Sequence, residues 1–188
     1  MEYYMLRKVS VVALFFVFAI GIVSTDLLAS AKSTSDSTYF LRLSIWPKKL
    51  SWPKKSKISG ISLGLPSSYG VPLATGADLS LIWGDSQNVH GFKAAPVCTG
   101  AKLKGVQLAV FNKTDDINGG EIGVVNLAKE SAGIQLGIYN KSEANKGGAQ
   151  LGIVNFARNS DNGVQIGIIN IMKNGFLPIF PFFNFPVN

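Results

Sequence analysis

Gly133-Ile-Gln-Leu-Gly-Ile-Tyr-Asn140 is followed by Gly148-Ala-Gln-Leu-Gly-Ile-Val-Asn155 and then by Gly163-Val-Gln-Ile-Gly-Ile-Ile-Asn170. Two earlier copies, Gly105-Val-Gln-Leu-Ala-Val-Phe-Asn112 and Gly119-Gly-Glu-Ile-Gly-Val-Val-Asn126, complete a series whose leading glycines lie 14, 14, 15 and 15 residues apart. A fixed period of this kind marks a structural unit that packs on its neighbours and cannot stand alone. Within each unit the apolar residues alternate with period two, which is the pattern of a strand. In one copy Ile134, Leu136 and Ile138 point one way, and Gln135, Gly137 and Tyr139 point the other. The polar stretches after each Asn, such as Lys113-Thr-Asp-Asp-Ile-Asn118 and Arg158-Asn-Ser-Asp-Asn162, are turn-formers, and the next Gly restarts the strand.

The period extends upstream through weaker copies opening at Gly91, Gly76 and Gly60, which makes eight units. Gly76-Ala-Asp-Leu-Ser-Leu-Ile-Trp83 keeps the alternation but not the Gln and Asn. In Gly91-Phe-Lys-Ala-Ala-Pro-Val-Cys98, Pro96 argues against a central strand. No helical periodicity is present after the N-terminal segment, so the fold is expected to be all-β.

Two stackings suit such strands. In a β-solenoid each unit is one coil, rising about 4.8 Å. Gln107, Gln135, Gln150 and Gln165, with Glu121 among them, would then form one ladder, and Asn112, Asn126, Asn140, Asn155 and Asn170 a second. The alternative is an antiparallel meander, open or closed into an outer-membrane β-barrel. Uniform connections and strands of seven or eight residues favour the solenoid, because membrane strands run to about 9–11 residues. The awkward point for the solenoid is Phe111, Val125, Tyr139, Val154 and Ile169, which fall on the expected outer face with the glutamines.

The chain divides into four segments. Residues 1–31 have the layout of a signal peptide: Arg7-Lys8, an apolar run from Val9 to Val23, and Ala29-Ser-Ala31 as the cleavage site. Residues 32–57 hold a polar, disordered start, a strand candidate at Tyr39–Trp46, and a basic cap carrying the duplicated Trp46-Pro-Lys-Lys49 and Trp52-Pro-Lys-Lys55. Residues 58–174 are the repeat array, and 175–188 an aromatic C-terminal cap containing Phe176, Phe180, Phe182, Phe183 and Phe185. The formal net charge of +7 survives removal of the signal, whose Glu2, Arg7, Lys8 and Asp26 cancel. A basic exported protein meets anionic envelope lipid or polysaccharide, or another surface protein, and nucleic acid is not an expected partner.

The array and tail together resemble a family of exported bacterial surface-repeat proteins. The resemblance rests on the five strong units, on Leu43-Ser-Ile-Trp-Pro47 at the opening and on Pro181-Phe-Phe-Asn-Phe185 at the close. It implies placement at the cell surface or outer membrane and carries no catalytic residues. This chain departs from the pattern at Ala109 (for Gly), at Glu121 (for Gln) and in its ending, Pro186-Val-Asn188.

Chemistry is sparse. His90 is the only histidine, and a nucleophilic arrangement would have to use it with Asp85 and Cys98; it reads better as a solvated turn residue. Cys98, the only cysteine, stands where other units carry their closing Asn and reads as an inert buried thiol. Asp115, Asp116 and Asp161 do not recur at one phase of the period, so no metal or cofactor is expected. The candidate binding residues are Trp46, Lys48, Lys49, Trp52, Lys54, Lys55 and Lys57, which could meet anionic head groups or polysaccharide. The same tryptophans could instead cover the first strand, with the lysines discouraging edge association. The expected function is that of a non-enzymatic envelope module that is structural or interacting, with a pore or scaffold barrel as the alternative.

Overall fold

The computed structural model describes residues 37–45, 51–54 and 56–187. The expected signal segment, Trp46, Lys48, Lys49 and Lys55 lie outside them. The described chain is a β-solenoid of about nine turns. Its strands are β1 (Thr38–Ile45), β2 (Lys57–Leu65), β3 (Ser67–Ser80), β4 (Trp83–Ala94), β5 (Val97–Leu108), β6 (Phe111–Ile117), β7 (Gly120–Ile122), β8 (Val125–Ser131), β9 (Ile134–Asn145), β10 (Ala149–Ser160), β11 (Val164–Met172) and β12 (Ile179–Asn184). Neighbouring turns pair in parallel, and only β12 returns antiparallel, on β11. The antiparallel meander is therefore not the arrangement adopted.

The unit boundaries differ from the sequence reading in two places. Tyr39 to Ile45 is a turn of the solenoid in its own right, since Leu41, Arg42 and Leu43 pair with Ile61, Ser62 and Leu63. The third turn also carries an extra residue. Gly84, not Trp83, lies over Cys98, and Trp83 pairs with Val97 one position earlier. Pro96 does not interrupt a strand: it sits at the corner between β4 and β5, where its carbonyl accepts from the amides of Val110 and Phe111. A corner gives up only one backbone donor to proline, so the stack tolerates it.

Which face lies inside is the larger correction. The expected inward set, Ile134, Leu136 and Ile138, is exposed, and Gln135 is fully buried. Counted from the leading glycine, the inward residues of each turn from Gly91 onward are the third, fifth, eighth, tenth and thirteenth, as in Gln107, Ala109, Asn112, Thr114 and Ile117. A turn of fourteen residues has a perimeter of only about 46 Å, so its lumen is narrow. Glycine at the first and fifth positions lets adjacent turns approach closely. An added Cβ at Gly133 would run into the carbonyl oxygen of Gly119, and one at Gly137 would lie 2.6 Å from Nδ2 of Asn126. The small apolar clusters that remain inside, Val89–Leu103–Ile117–Ala128 and Ile58–Val71–Ala74, line the thirteenth position and its N-terminal equivalents, with Ala128 and Val71 from the tenth-position column.

Candidate functional site

The inward third-position column is polar from end to end. It runs Arg42, Ser62, Asp78, Lys93, Gln107, Glu121, Gln135, Gln150, Gln165, Asn184, every member buried. In its C-terminal half the amides bond along the stack towards the N-terminus. Gln165 donates to Gln150 at 2.7 Å, Gln150 to Gln135 at 2.8 Å, and Gln135 to the Glu121 carboxylate at 3.2 Å. The eighth-position ladder runs the other way. Asn112 donates to Asn126, Asn126 to Asn140, Asn140 to Asn155 and Asn155 to Asn170, at 2.7–2.9 Å. Each of these four amides also donates to a carbonyl of the next turn, for example Asn140 to Leu151. Both expected ladders therefore exist, as internal scaffolding and not as outward display.

The charged members of the column compensate one another in sign. Burial pushes the Glu121 carboxyl up to about 7, against hydrogen bonds from Thr114 and Gln135 and the charge of Lys93. Burial lowers Lys93, opposed by Cys98, Asp78, Asp85 and Glu121, and its Nζ donates to the Thr99 carbonyl at 2.6 Å. Burial also lowers Arg42, opposed by Asp78, while Nη2 donates to the Tyr69 carbonyl. Asp78 accepts from Ser86 Oγ and, at 3.4 Å, from Ser68 Oγ. Cys98 is buried at the end of the Asn ladder, and burial pushes its thiol up to about 11. His90 is exposed, stacked between Thr75 and Lys104, on the opposite side of the backbone from that thiol. Among the described residues no group of three or more His, Cys, Asp or Glu side chains could hold a metal.

The outer surface carries the feature with functional weight. The second, fourth and sixth residues of successive turns form an aliphatic wall. Its fourth-position column reads Leu43, Leu63, Leu79, Ala94, Leu108, Ile122, Leu136, Leu151, Ile166. The second-position column reads Leu41, Ile61, Ala77, Phe92, Val106, Gly120, Ile134, Ala149, Val164. At the corner stand Leu65, Leu81, Pro96, Val110, Val124, Ile138, Ile153 and Ile168, all exposed, the last at 63 %. No charged or hydrogen-bonding side chain interrupts the wall, even in the eroded turns. Where Ala94 and Pro96 replace larger residues, a groove of about 720 Å³ opens between Leu63–Leu65 and Leu108–Val110. The pattern was readable in the sequence, because an unbroken absence of charge at three phases of the period is visible there; its outward direction was not.

The charges are segregated from the wall. Asp115, Asp116, Glu130 and Glu143 fall at the eleventh and twelfth positions, the corner most remote from it, where Lys129 and Lys146 pair with Asp115 and Glu130. The strip next to the wall, at the seventh and ninth positions, holds Trp83, Phe111, Tyr139, Phe156, Lys113 and Lys141, with Asp85 as its one acid. Lys141 Nζ lies 5.7 Å from the Phe156 ring centroid.

Of the basic cap, Trp52, Lys54 and Lys57 are described. Trp52 exchanges both backbone hydrogen bonds with Leu43 and meets Tyr39 edge-on at 5.5 Å, so it lies over the β1 edge. Lys54 is exposed, and Lys57 is a β2 residue opposite Thr38. At the other end β12 covers the last turn, Asn184 taking the axial place above Gln165. The tail rings stack on each other, Phe176 on Phe185 at 5.8 Å, yet Phe182 stays 74 % exposed. The tail thus caps the open end of the stack, while Phe176, Phe182, Phe183 and Phe185 all stay exposed.

A scan against protein-family models, a search of curated proteins and a search of solved structures each return no match.

Proposed function

We propose that this chain is a non-enzymatic, exported cell-envelope repeat protein that works as an interaction module, with the aliphatic wall as its working face. The observation that carries this reading is the unbroken apolar surface on a body whose interior is polar. Monomeric proteins seldom leave so large a contiguous apolar patch uncovered unless it meets something. The polar interior is filled by amide ladders and compensated charges, which gives a rigid spacer and no reaction centre. A filled parallel stack does not support the pore alternative.

The test is fractionation of producing cells. The wild-type chain is expected with the envelope. A variant carrying Ile138→Ser, Ile153→Ser and Ile168→Ser should move to the soluble exported fraction with an unchanged melting temperature, because the three side chains are already 46–63 % exposed. Envelope retention of that variant would remove the wall from the argument. A heat-dependent gel shift of retained protein would point to an integral barrel instead.

A further inference from the structure

We propose that the wall rests on the acyl-chain boundary of an anionic lipid layer, the lysines of the bordering strip meeting the phosphate head groups. This rests on the reading that the wall is the working face, and adds its partner. Three observations converge on lipid.

The first is size. Five residues across and about nine turns long, the wall measures roughly 15 by 40 Å, about 600 Å². A standard protein interface takes about 800 Å² from each partner, with a polar rim and hydrogen bonds across it. This wall offers no hydrogen-bonding side chain at all. Hydrocarbon asks for none.

The second is charge. The strip beside the wall presents Lys113 and Lys141 against one acid, Asp85, and the other flank Lys104 and Lys146 against Asp161, so both borders are net basic, whereas the four acids named above sit at the remote corner. Two copies packed wall to wall would bring basic strips close to one another. An anionic layer complements them.

The third is the company the lysines keep. Trp83, Phe111 and Tyr139 line the same border, and Trp83 Nε1 donates to Thr99 Oγ1 at 3.0 Å. Aromatic rings with a polar handle and snorkelling lysines are the side chains that suit the water–lipid boundary beside a hydrocarbon-facing surface. The groove at Ala94–Pro96 gives one acyl chain a place to lie below the level of its neighbours.

The experiment is vesicle flotation of the protein as recovered from producing cells, on phosphatidylcholine vesicles with and without one-third phosphatidylglycerol, with sedimentation of the unbound protein alongside. The expected result is flotation with the anionic vesicles and a blue-shifted tryptophan emission. Lys113→Gln with Lys141→Gln should weaken binding roughly tenfold or more and flatten its salt dependence. The triple serine variant of the wall should abolish binding while remaining folded by circular dichroism. A wild-type protein that ignores both vesicle types would overturn the lipid assignment. If it then sediments as a dimer that the wall variant dissociates, a second copy is the occupant. If it is a monomer that binds only after its N-terminal segment is cut away, residues 9–23 are the occupant. In both cases the wall remains the working face. Only a wall variant identical to wild type in flotation, sedimentation and cell fractionation would remove that reading too.

Discussion

The turns from Gly105 to Asn170 and the turns from Leu41 to Cys98 have the same path but different interiors. In the later set the axial column is Gln or its isostere Glu121, and the eighth position is always Asn, so each turn hands its hydrogen bonds to the next. In the earlier set the same two columns hold Arg42, Ser62, Asp78 and Lys93, then Ser68, Gly84 and Cys98. One half is held by repeated neutral amides, the other by opposite charges that must balance. A solenoid thus requires each buried column to be satisfied, not that every turn satisfy it identically.

Breaking that balance should have the largest effect. Lys93→Met removes the cation between Asp78 and Glu121 along the column and should cost about 3–5 kcal/mol, the usual penalty for unpairing a buried charge. Urea midpoints measure it, and a loss below about 1 kcal/mol would mean the charges are not coupled. In the amide half, Asn140→Ala removes the donor to the Leu151 carbonyl and to Asn155 Oδ1 and leaves the Asn126 amide with Leu136 alone, and should cost about 3 kcal/mol by the same measurement.

Glu121 joins the two halves, and its pH dependence sharpens the comparison. Its folded pKa of about 7 lies above the ordinary 4.5, so its favourable contribution is complete below pH 4.5 and is lost as pH rises through 7. Glu121→Gln restores the array's own residue. It should remove that loss, raising stability at pH 8 by about 2 kcal/mol with little change at pH 4. Equal gains at both pH values would place the effect in packing and not in ionisation.

The smallest effect is the most specific. At the fifth position an added Cβ on Gly123, Gly137, Gly152 or Gly167 would meet the carbonyl oxygen of the turn before and, at 2.6–2.8 Å, the amide of Asn112, Asn126, Asn140 or Asn155 in turn. Ala109 is allowed because the turn before it carries Cys98. Cys98→Asn alone should therefore destabilise, and adding Ala109→Gly should recover at least about 1 kcal/mol, a coupling read from the double-mutant cycle. Strict additivity would refute that explanation.

Much of this was legible in the repeat. The period puts Gln over Gln and Asn over Asn, and Cys98 over the Asn column, before any coordinates are seen. Other features were not. The extra residue beside Trp83 shifts one turn by a position, because the eroded copy has no Asn to mark its end. Tyr39 to Ile45 carries no glycine at all, so its place as a turn appears only when Arg42 is seen to pair with Ser62. The basic cap was legible as composition, and the place of Trp52 over the β1 edge was not.

By itself, then, the sequence determined a parallel-capable all-β array, its period, and the two columns of amides that would have to stack. It could not determine which side of each strand is interior, since strict alternation defines two faces and is silent about the lumen. The tertiary structure decided that. A fourteen-residue turn closes too tightly for three aliphatic columns, whereas Gly, Gln and Asn fit the lumen and satisfy one another along its axis. The aliphatic side chains are left outside, as an apolar wall on a polar core.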